Sequence, residues 1–332
     1  PKLQKPGMTA MLSLPKQIRI VEVGPRDGLQ SFPRFIDTET KIRLIDRLSS
    51  TGLPVIEVTN FAHPRVIPNL ADAEAVCAGI KRAPGVIYRG LVPNVRGAER
   101  ALAMPKEAQL GELLGLITIS EAYNKKNQNM TLEQGIAEAI KTFGVVDKAG
   151  VPFVMAMGMS MWCPYEGRIP EDRVITILDQ FRNAGMRRFY LAGSLGMEDP
   201  VHVNGLLRRL LTRHKDIEIG FHLHNMAGFG LANVLAALDG GASFVEGAIC
   251  GIGGGIAMPH TIASVGNLAT EDIVHMLNEM GIETGVSTAE IAAAARDCAK
   301  LLEIEPGSHM AQVGTRADVM AGAQKAPREH PA

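Results

Sequence analysis

The sequence predicts an α/β fold of the (β/α)8 class, the TIM barrel, on three observations. Short apolar runs rich in β-branched residues alternate with segments of helical period along most of the 332 residues. Eight such strand–helix units follow one another with short links, and eight parallel strands with helical crossovers close a barrel. The turn after the first strand carries no G-x-G-x-x-G motif, so an open doubly wound sheet is the second choice.

Each predicted strand is an apolar run bounded by glycine, proline or polar residues. The eight strands are expected at residues 18–23, 55–61, 87–93, 112–120, 152–159, 188–192, 217–224 and 243–250. Among the helices, Asp37 or Thr38 can cap the first, which ends near Gly52, and Thr131 can cap a long one that runs to about Ala149. Further helices are expected at residues 69–82, 95–103, 171–183, 200–213, 232–238 and 270–280.

Four regions are predicted along the chain. They are an N-terminal arm at 1–16, the catalytic barrel at 17–285, a helical extension at 286–307 and a tail at 308–332. The extension contains an alanine-rich stretch of helical period, which is expected to pack on the barrel or on a second subunit and so allows a homo-oligomer. Apolar periodicity is lost from about Ser308, which is typical of a loose chain end.

Composition argues against several classes of function. The net charge of −1 creates no field that would attract nucleic acid or an anionic membrane surface. No apolar run is long enough to span a bilayer, and residues 1–16 lack the apolar core of a secretory signal. The four cysteines lie far apart without a C-x-x-C pair. This argues against a zinc ribbon or a disulfide framework and favours a reducing compartment, the cytoplasm.

Two strand ends carry residues suited to metal binding. Arg26 and Asp27 follow the first strand, and His222 and His224 close the seventh. Residues two apart in a strand share one face, and barrel active sites lie at the C-terminal ends of the strands. We therefore predict that Asp27, His222 and His224 bind one divalent cation, and that Arg26 lies beside it. Two histidines that hydrogen-bond a loop, and an aspartate that caps the turn before Gly28, are the plainer alternatives.

Other polar side chains fall at the same end of the predicted barrel. Those taken as candidate substrate-binding residues are Gln30, Asn60, Ser120 and Asn127. Glu57 lies inside an apolar strand, where an unpaired carboxylate is costly, so it is expected to pair with Arg26. That pair can be purely structural, can orient the guanidinium, or both. Asn267 follows Gly266, so it is either a turn residue or part of the site.

Two further segments come directly after strands. The glycine-rich run at 251–255 matches no phosphate-binding loop and is interpreted as a mobile lid or substrate loop. Cys163 lies beside a turn, where a lone cysteine is more often structural than nucleophilic.

The run after the first strand resembles the signature of the hydroxymethylglutaryl-CoA lyases: Glu22-Val23-Gly24-Pro25-Arg26-Asp27-Gly28-Leu29-Gln30. The resemblance extends over about residues 17–305, in order and with similar spacing. Its further stretches are residues 55–61, Lys125-Lys126-Asn127, residues 163–167, His222-x-His224, Leu231-Ala232-Asn233 and residues 266–272.

The family resemblance implies a divalent metal, Mg²⁺ or Mn²⁺ with Zn²⁺ as a further option. It implies four ligands for that metal: Asp27, His222, His224 and Asn267. The implied reaction is a retro-Claisen cleavage of a 3-hydroxyacyl-CoA to acetyl-CoA and a keto acid. Arg26 would stabilise the enolate that forms on the thioester, and Glu57 would support Arg26. His222 is a candidate proton carrier as well as a ligand.

The sequence departs from the family pattern at its acid and loop positions. The family's Gly-Gly-Cys-Pro loop, whose cysteine is catalytic, reads Gly253-Gly254-Gly255-Ile256 here, and a Gly-Asp-Thr stretch reads Ala192-Gly193-Ser194. Asn225 stands in place of an acid after the H-x-H pair, and Pro33 in place of a lysine that would face the CoA phosphates. His260, in the altered loop, is a candidate replacement proton donor, and a surface histidine is the plainer explanation.

Three functions fit these observations. The first is a metal-dependent acyl-CoA lyase, with an acyl group that need not be hydroxymethylglutaryl. The second is an aldolase of the same superfamily that acts on a hydroxy acid without CoA. The third is a non-catalytic barrel that binds metal or acyl-CoA. The missing cysteine and aspartate favour the non-catalytic barrel. Arg26 and Glu57 favour an enzyme, because a binding protein has little need of a buried cation that stabilises an enolate.

Overall fold

Eight parallel strands close into a barrel, which confirms the predicted fold class. The computed structural model describes residues 12–254 and 266–325. In chain order the strands are β1 (Arg19–Glu22), β2 (Val55–Asn60), β3 (Ile87–Leu91), β4 (Glu112–Thr118), β5 (Phe153–Gly158), β6 (Trp162–Cys163), β7 (Gly167–Arg168), β8 (Arg188–Gly193), β9 (Glu218–Leu223) and β10 (Phe244–Gly247). Around the barrel the order is β1-β10-β9-β8-β5-β4-β3-β2, and β6 and β7 form a separate hairpin.

Helices follow the strands and cover the barrel. They are α1 (Thr38–Ser49), α2 (Ala73–Gly79), α3 (Val95–Leu102), α4 (Glu121–Gln128), α5 (Leu132–Lys148), α6 (Glu171–Asn183), α7 (Pro200–Arg213), α8 (Gly230–Asp239), α9 (Thr270–Glu279), α10 (Thr288–Leu302), α11 (His309–Val313) and α12 (Arg316–Lys325). Asp37 caps α1, and Thr131 caps α5 in a capping box with Gln134, so both predicted caps are present. Within the described ranges, no helix is both long and apolar enough to cross a membrane.

One predicted helix is shorter than its sequence pattern indicates. The pattern covers residues 69–82, but α2 is limited to Ala73–Gly79 and follows a separate 3-10 turn. Lys41 accounts for the separation of the 3-10 turn from α2. Its buried ammonium donates hydrogen bonds to the Asn69 carbonyl and the Asp72 carboxylate, each at 2.6 Å. These bonds fix the 3-10 turn as an element of its own.

The sequence pattern also misses α4 and the helices near the chain end. The α4 helix is mostly polar and has no apolar stripe, so helical periodicity gives no signal there. Beyond residue 308, where loose chain is expected, α11 and α12 are formed. Asp272 accepts hydrogen bonds from the backbone amides of His309 and Met310, and the Met310 side chain is buried. The α10 helix packs against α1 and α9, as expected of a helix that covers the barrel.

Two carboxyl groups are fully buried near the junction of the first and last strands: Glu22 ties the first strand to the last part of the barrel, and Glu271 joins α9 to the loop after β10. Glu22 accepts hydrogen bonds from the Ile249 amide at 2.9 Å and from the Thr270 hydroxyl at 2.6 Å. Glu271 accepts one from the Cys250 amide at 3.1 Å. Burial raises the pKa of Glu22 to about 7 and that of Glu271 to about 8. The turn after β1 is thereby fixed against the loop after β10.

The substitution Glu271→Gln tests how this burial affects stability. The folded-state pKa of about 8 lies above the ordinary value of 4.5, so the unfolded chain loses its proton first as the pH rises. The contribution of Glu271 to the free energy of unfolding is complete below the ordinary pKa and is lost towards the folded-state pKa. Between about pH 5 and pH 8, we expect the variant to lose less stability than the unaltered protein, by roughly a few kcal/mol.

Urea denaturation across this pH range measures the difference, with Glu121→Gln at an exposed position as the control. The same pH dependence in both variants would contradict the raised pKa of Glu271.

Candidate active site

The turn after β1 carries two of the predicted site residues. Residues 24–28 form a π-helical turn, in which the amides of Arg26 and Asp27 donate to the Val23 carbonyl at 3.1 and 2.7 Å. Turns of this kind are rare and occur often at functional sites. A Cβ atom at Gly24 would lie 2.6 Å from the Glu22 carboxyl oxygen, so the turn requires glycine there. It leaves Arg26 and Asp27 buried at the C-terminal end of the barrel.

Asp27, His222 and His224 converge, although they lie far apart in the sequence. Each offers one ligand atom, and these three atoms lie within 4.8 Å of one another. The His224 Nε2 atom lies 3.5 Å from the Asp27 Oδ2 atom. Burial by itself raises the pKa of Asp27, but the Arg26 guanidinium and the two imidazoles hold it well below its usual range. An ionised carboxylate beside two imidazoles is a donor set that suits a divalent cation.

Asn267 joins this cluster from the loop after β10. It pairs with His224 in an isolated bridge, and its side-chain nitrogen donates to the Asp27 Oδ2 atom at 2.7 Å and to the Ile252 carbonyl at 3.1 Å. Its side-chain oxygen is buried and, among the described residues, has no hydrogen-bond partner. A cation beside Asp27 would satisfy that oxygen. The residues present therefore fit a divalent metal, with Asn267 as a fourth donor.

Arg26 is held between two carboxylates. Its Nε atom donates to Glu57 on β2, and its Nη1 atom donates to the Asp27 Oδ1 atom at 2.7 Å. Burial lowers the pKa of Arg26, but Glu57 and Asp27 more than offset this and raise it above its usual value. The guanidinium is thus charged and fixed in orientation. Within the described residues its Nη2 atom makes no hydrogen bond, so it remains available to a bound molecule.

Sequence reasoning misses the middle of this buried charge network. Arg89 on β3 donates to Glu57 and, at 2.6 Å, to the Glu246 Oε1 atom on β10. The other carboxyl oxygen of Glu246 lies 3.1 Å from the His222 Nδ1 atom. A continuous chain of charges therefore connects Arg26 with His222. The signal is in the sequence, because Arg89 and Glu246 stand inside apolar strands, where a charge needs a partner as Glu57 does.

The cluster opens into a cavity of about 450 Å³. Gln30 and Asn60 line this cavity, and Gln30 donates to the Asp27 Oδ1 atom at 2.7 Å. Tyr190, which the sequence reasoning did not single out, also lines it and stacks on the His222 ring at a centroid distance of 5.6 Å. Much of the remaining wall is apolar and includes Ile67, Leu91, Leu116 and Met159. An apolar cavity with a few convergent polar groups is typical of a small-molecule site.

Ser120 does not take the predicted place in the cavity wall. It is fully buried, its hydroxyl donates to Glu166 at 2.7 Å, and it accepts a hydrogen bond from the Tyr123 amide at 3.1 Å. The Cys163 thiol also donates to it, at 2.9 Å, which agrees with the structural role expected of that cysteine. Ser120 thus caps α4, and its hydroxyl is fully used by the protein. Ser120 is therefore a helix-capping residue and not the substrate contact that the sequence predicted.

Two other candidates lie outside the described residues. They are the side chain of Asn127 in α4 and His260, which belongs to residues 255–265. The interpretation of the glycine-rich run as a lid falls partly on the same residues. These roles stay predictions.

The chain matches one family model over most of its length, and its relatives above 30% identity agree with that family. The family model described as HMGL-like matches residues 17–298. A hydroxymethylglutaryl-CoA lyase of Bacillus subtilis is 39% identical over 282 residues, which are 85% of this chain and 92% of that protein. The crystal structure of the B. subtilis HMG-CoA lyase matches with a TM-score of 0.85 and 37% identity, over 90% of this chain and 98% of that one.

A second similar structure contains ligands. It is an HMG-CoA lyase from Acinetobacter baumannii in complex with coenzyme A and 3-methylmalate. It has a TM-score of 0.83 and 33% identity, and the match covers 98% of this chain and 100% of that one.

Metal binding by the cluster is tested with His224→Ala. The unaltered protein is expected to bind one Mn²⁺ ion per chain, and removal of one of the four donors should weaken that binding by about 100-fold or more. Isothermal titration with Mn²⁺ measures the affinity. His275→Ala, on α9 and partly exposed, is the control. Equal affinities in the two variants would exclude His224 as a ligand.

The substitution Arg89→Met tests the charge network. It leaves Glu57 and Glu246 buried without this counter-charge, so the free energy of unfolding should fall by about 3–5 kcal/mol. Arg213→Met, which removes an exposed ion pair with Asp179, should cost at most about 1 kcal/mol. Denaturation in guanidinium chloride measures both. A loss for Arg89→Met as small as that of the control would show that the network does not support the barrel.

Proposed function

The chain belongs to the HMGL-like family, and from this premise we propose that it is a divalent-metal-dependent carbon–carbon lyase. Its proposed substrate is a 3-hydroxyacyl-CoA of the hydroxymethylglutaryl-CoA type, which it cleaves to acetyl-CoA and a keto acid. The observation that carries the proposal is that a charged, oriented guanidinium and a set of metal donors face one cavity. The similar lyase structure with coenzyme A and 3-methylmalate supports a thioester substrate.

Asp27, His222, His224 and Asn267 are the proposed metal ligands. One carboxylate and one amide oxygen favour Mg²⁺ or Mn²⁺, and the two imidazoles also allow Zn²⁺. When bound, the divalent cation supplies a Lewis acid that makes the substrate hydroxyl easier to deprotonate. Gln30 and Arg26 hold the Asp27 carboxylate in place, because each donates to its Oδ1 atom at 2.7 Å. The Oδ2 atom faces His224 and Asn267.

Arg26 is the proposed electrostatic catalyst. When the carbon–carbon bond breaks, its electron pair moves into an enolate, and negative charge collects on the thioester oxygen. The Nη2 atom of Arg26 can donate to that oxygen while Glu57 and Asp27 keep the guanidinium fixed. A donor aimed at developing charge in a dry cavity is worth a few kcal/mol, about 10²–10³-fold in rate.

His222 is assigned as a ligand rather than as the proton carrier. Its Nδ1 atom is paired with Glu246, so one ring nitrogen is left, and that atom cannot hold a metal and a proton together. A carboxylate behind a metal-binding imidazole is the usual arrangement, because it fixes the tautomer and the ring orientation. Glu246 and Tyr190 thus orient His222 from two sides.

A panel of 3-hydroxyacyl-CoA esters, each incubated with Mg²⁺ or Mn²⁺, tests the proposed reaction. We expect acetyl-CoA release from at least one ester, and a loss of kcat in Arg26→Met of about 10²–10³-fold. Arg213→Met, an exposed guanidinium on α7, should keep full activity. Keto acid release from hydroxy acids without CoA would favour the aldolase instead. Metal binding without any turnover would favour the non-catalytic barrel.

A further inference from the structure

Tyr190 has a hydroxyl group at the cavity that neither the fold nor the proposed mechanism uses. The residue stands on β8, lines the cavity and is only 3% exposed. Among the described residues its hydroxyl makes no hydrogen bond, and the oxygen is not fully enclosed by protein. The hydroxyl of a buried tyrosine usually has a hydrogen-bond partner. We therefore expect its partner to be a molecule that enters the cavity.

The ring of Tyr190 is held by contacts that leave the hydroxyl free. Its register partners on the neighbouring strands are Ala156 on β5 and Gly220 on β9, and neither has a polar side chain. The ring stacks on the His222 ring at an interplanar angle of 30°, and the central carbon of the Arg89 guanidinium lies 5.9 Å from its centroid. The position of the hydroxyl is thus fixed without a hydrogen bond to the protein.

The metal donors lie between Tyr190 and Arg26. The four proposed ligands come from the turn after β1, from the end of β9 and from the chain after β10. In the order around the barrel, β8 with Tyr190 follows β9 on one side, and β2 follows β1 on the other. The Arg26 Nε atom donates to Glu57 on β2. A phenol and a guanidinium, both hydrogen-bond donors, therefore flank the metal donors and line one cavity.

A 3-hydroxyacyl thioester has a matching arrangement of oxygen atoms. Its C3 atom carries the hydroxyl and two arms, one of which ends in the thioester. With the hydroxyl at the four proposed ligands and the thioester arm at Arg26, the second arm extends towards β8 and Tyr190. A carboxylate at the end of that arm would be a strong acceptor for the phenol, because hydrogen bonds to an ionised acceptor are stronger than neutral ones.

We propose that Tyr190 determines the specificity for the acyl group by donating a hydrogen bond to a carboxylate on the second arm. The substrate class is then a thioester of a 3-hydroxydicarboxylic acid, since a second arm that is purely alkyl offers no acceptor. The inference rests on the proposed lyase function. It adds the residue that selects the acyl group.

Tyr190→Phe tests the inference, because it removes the hydroxyl and keeps the ring that stacks on His222. Two acids serve as probes without turnover: 3-hydroxy-3-methylglutarate has a carboxylate on both arms, and 3-hydroxy-3-methylbutyrate has one on a single arm. With Mn²⁺ present, the variant should bind 3-hydroxy-3-methylglutarate about tenfold or more weakly than the parent protein. Its affinity for 3-hydroxy-3-methylbutyrate should stay within about twofold, because the guanidinium of Arg26 is the stronger partner for a single carboxylate.

Isothermal titration measures both affinities and that for Mn²⁺, which should stay within about twofold because the four proposed ligands are unchanged. Tyr88→Phe is the matched control. Its hydroxyl accepts from the Ala83 amide at 2.9 Å and donates to Ser49 at 3.0 Å, away from the residues that line the cavity. The control should keep both acid affinities and lose about 2 °C or more in Tm, whereas Tyr190→Phe should keep the parent Tm to within about 2 °C.

Equal losses for the two acids, no loss for either, or a parent protein that binds neither acid would each overturn the inference. A Tm of Tyr190→Phe as low as that of the control would also overturn it, because the fold would then use the hydroxyl. If the two acids differ as expected but no thioester of the panel is cleaved, the lyase function fails and Tyr190 is still the carboxylate contact. The binding measurements do not depend on turnover, so the two failures are distinguishable.

Discussion

The buried chain of charges from Arg26 to His222 is the interaction on which the rest of the site depends. Its members stand on the β1 turn, β2, β3, β10 and β9, so it crosses the interior of the barrel. Each charge would be costly in a dry interior alone, but every one has at least one partner of opposite sign or a ring nitrogen. The same contacts that make these charges tolerable also fix the guanidinium and one imidazole. One network therefore both stabilises the buried charges and orients the residues of the proposed chemistry.

The site is complete only when the barrel has closed. Asp27 comes from the first strand end, whereas His222, His224 and Asn267 come from β9 and the chain after β10. Glu22 joins these two regions through the Ile249 amide and the Thr270 hydroxyl. The contacts at the junction of the first and last strands therefore close the barrel and also bring the metal donors together.

Periodicity was sufficient to predict the barrel, because eight apolar runs alternate with helices at nearly regular intervals. The rule that barrel sites lie at strand ends led to Asp27, His222 and His224, which the structure brings together. The cost of an unpaired charge led from Glu57 to Arg26, and would have led to Arg89 had it been applied to every strand. Ser120 was predicted to bind substrate because a serine at the end of a strand can either cap the next helix or face the site, and the sequence does not distinguish the two.

The central claim is that one divalent ion is bound at the C-terminal end of the barrel, where the first strand meets the last two, within reach of Arg26. Anomalous diffraction from crystals grown with Mn²⁺ tests this most directly. We expect one strong peak, about 2.0–2.3 Å from ligand atoms of Asp27, His222 and His224. We also expect the Arg26 guanidinium at the wall of the same cavity. A peak elsewhere, or three side chains that turn away from a common point, would contradict the claim.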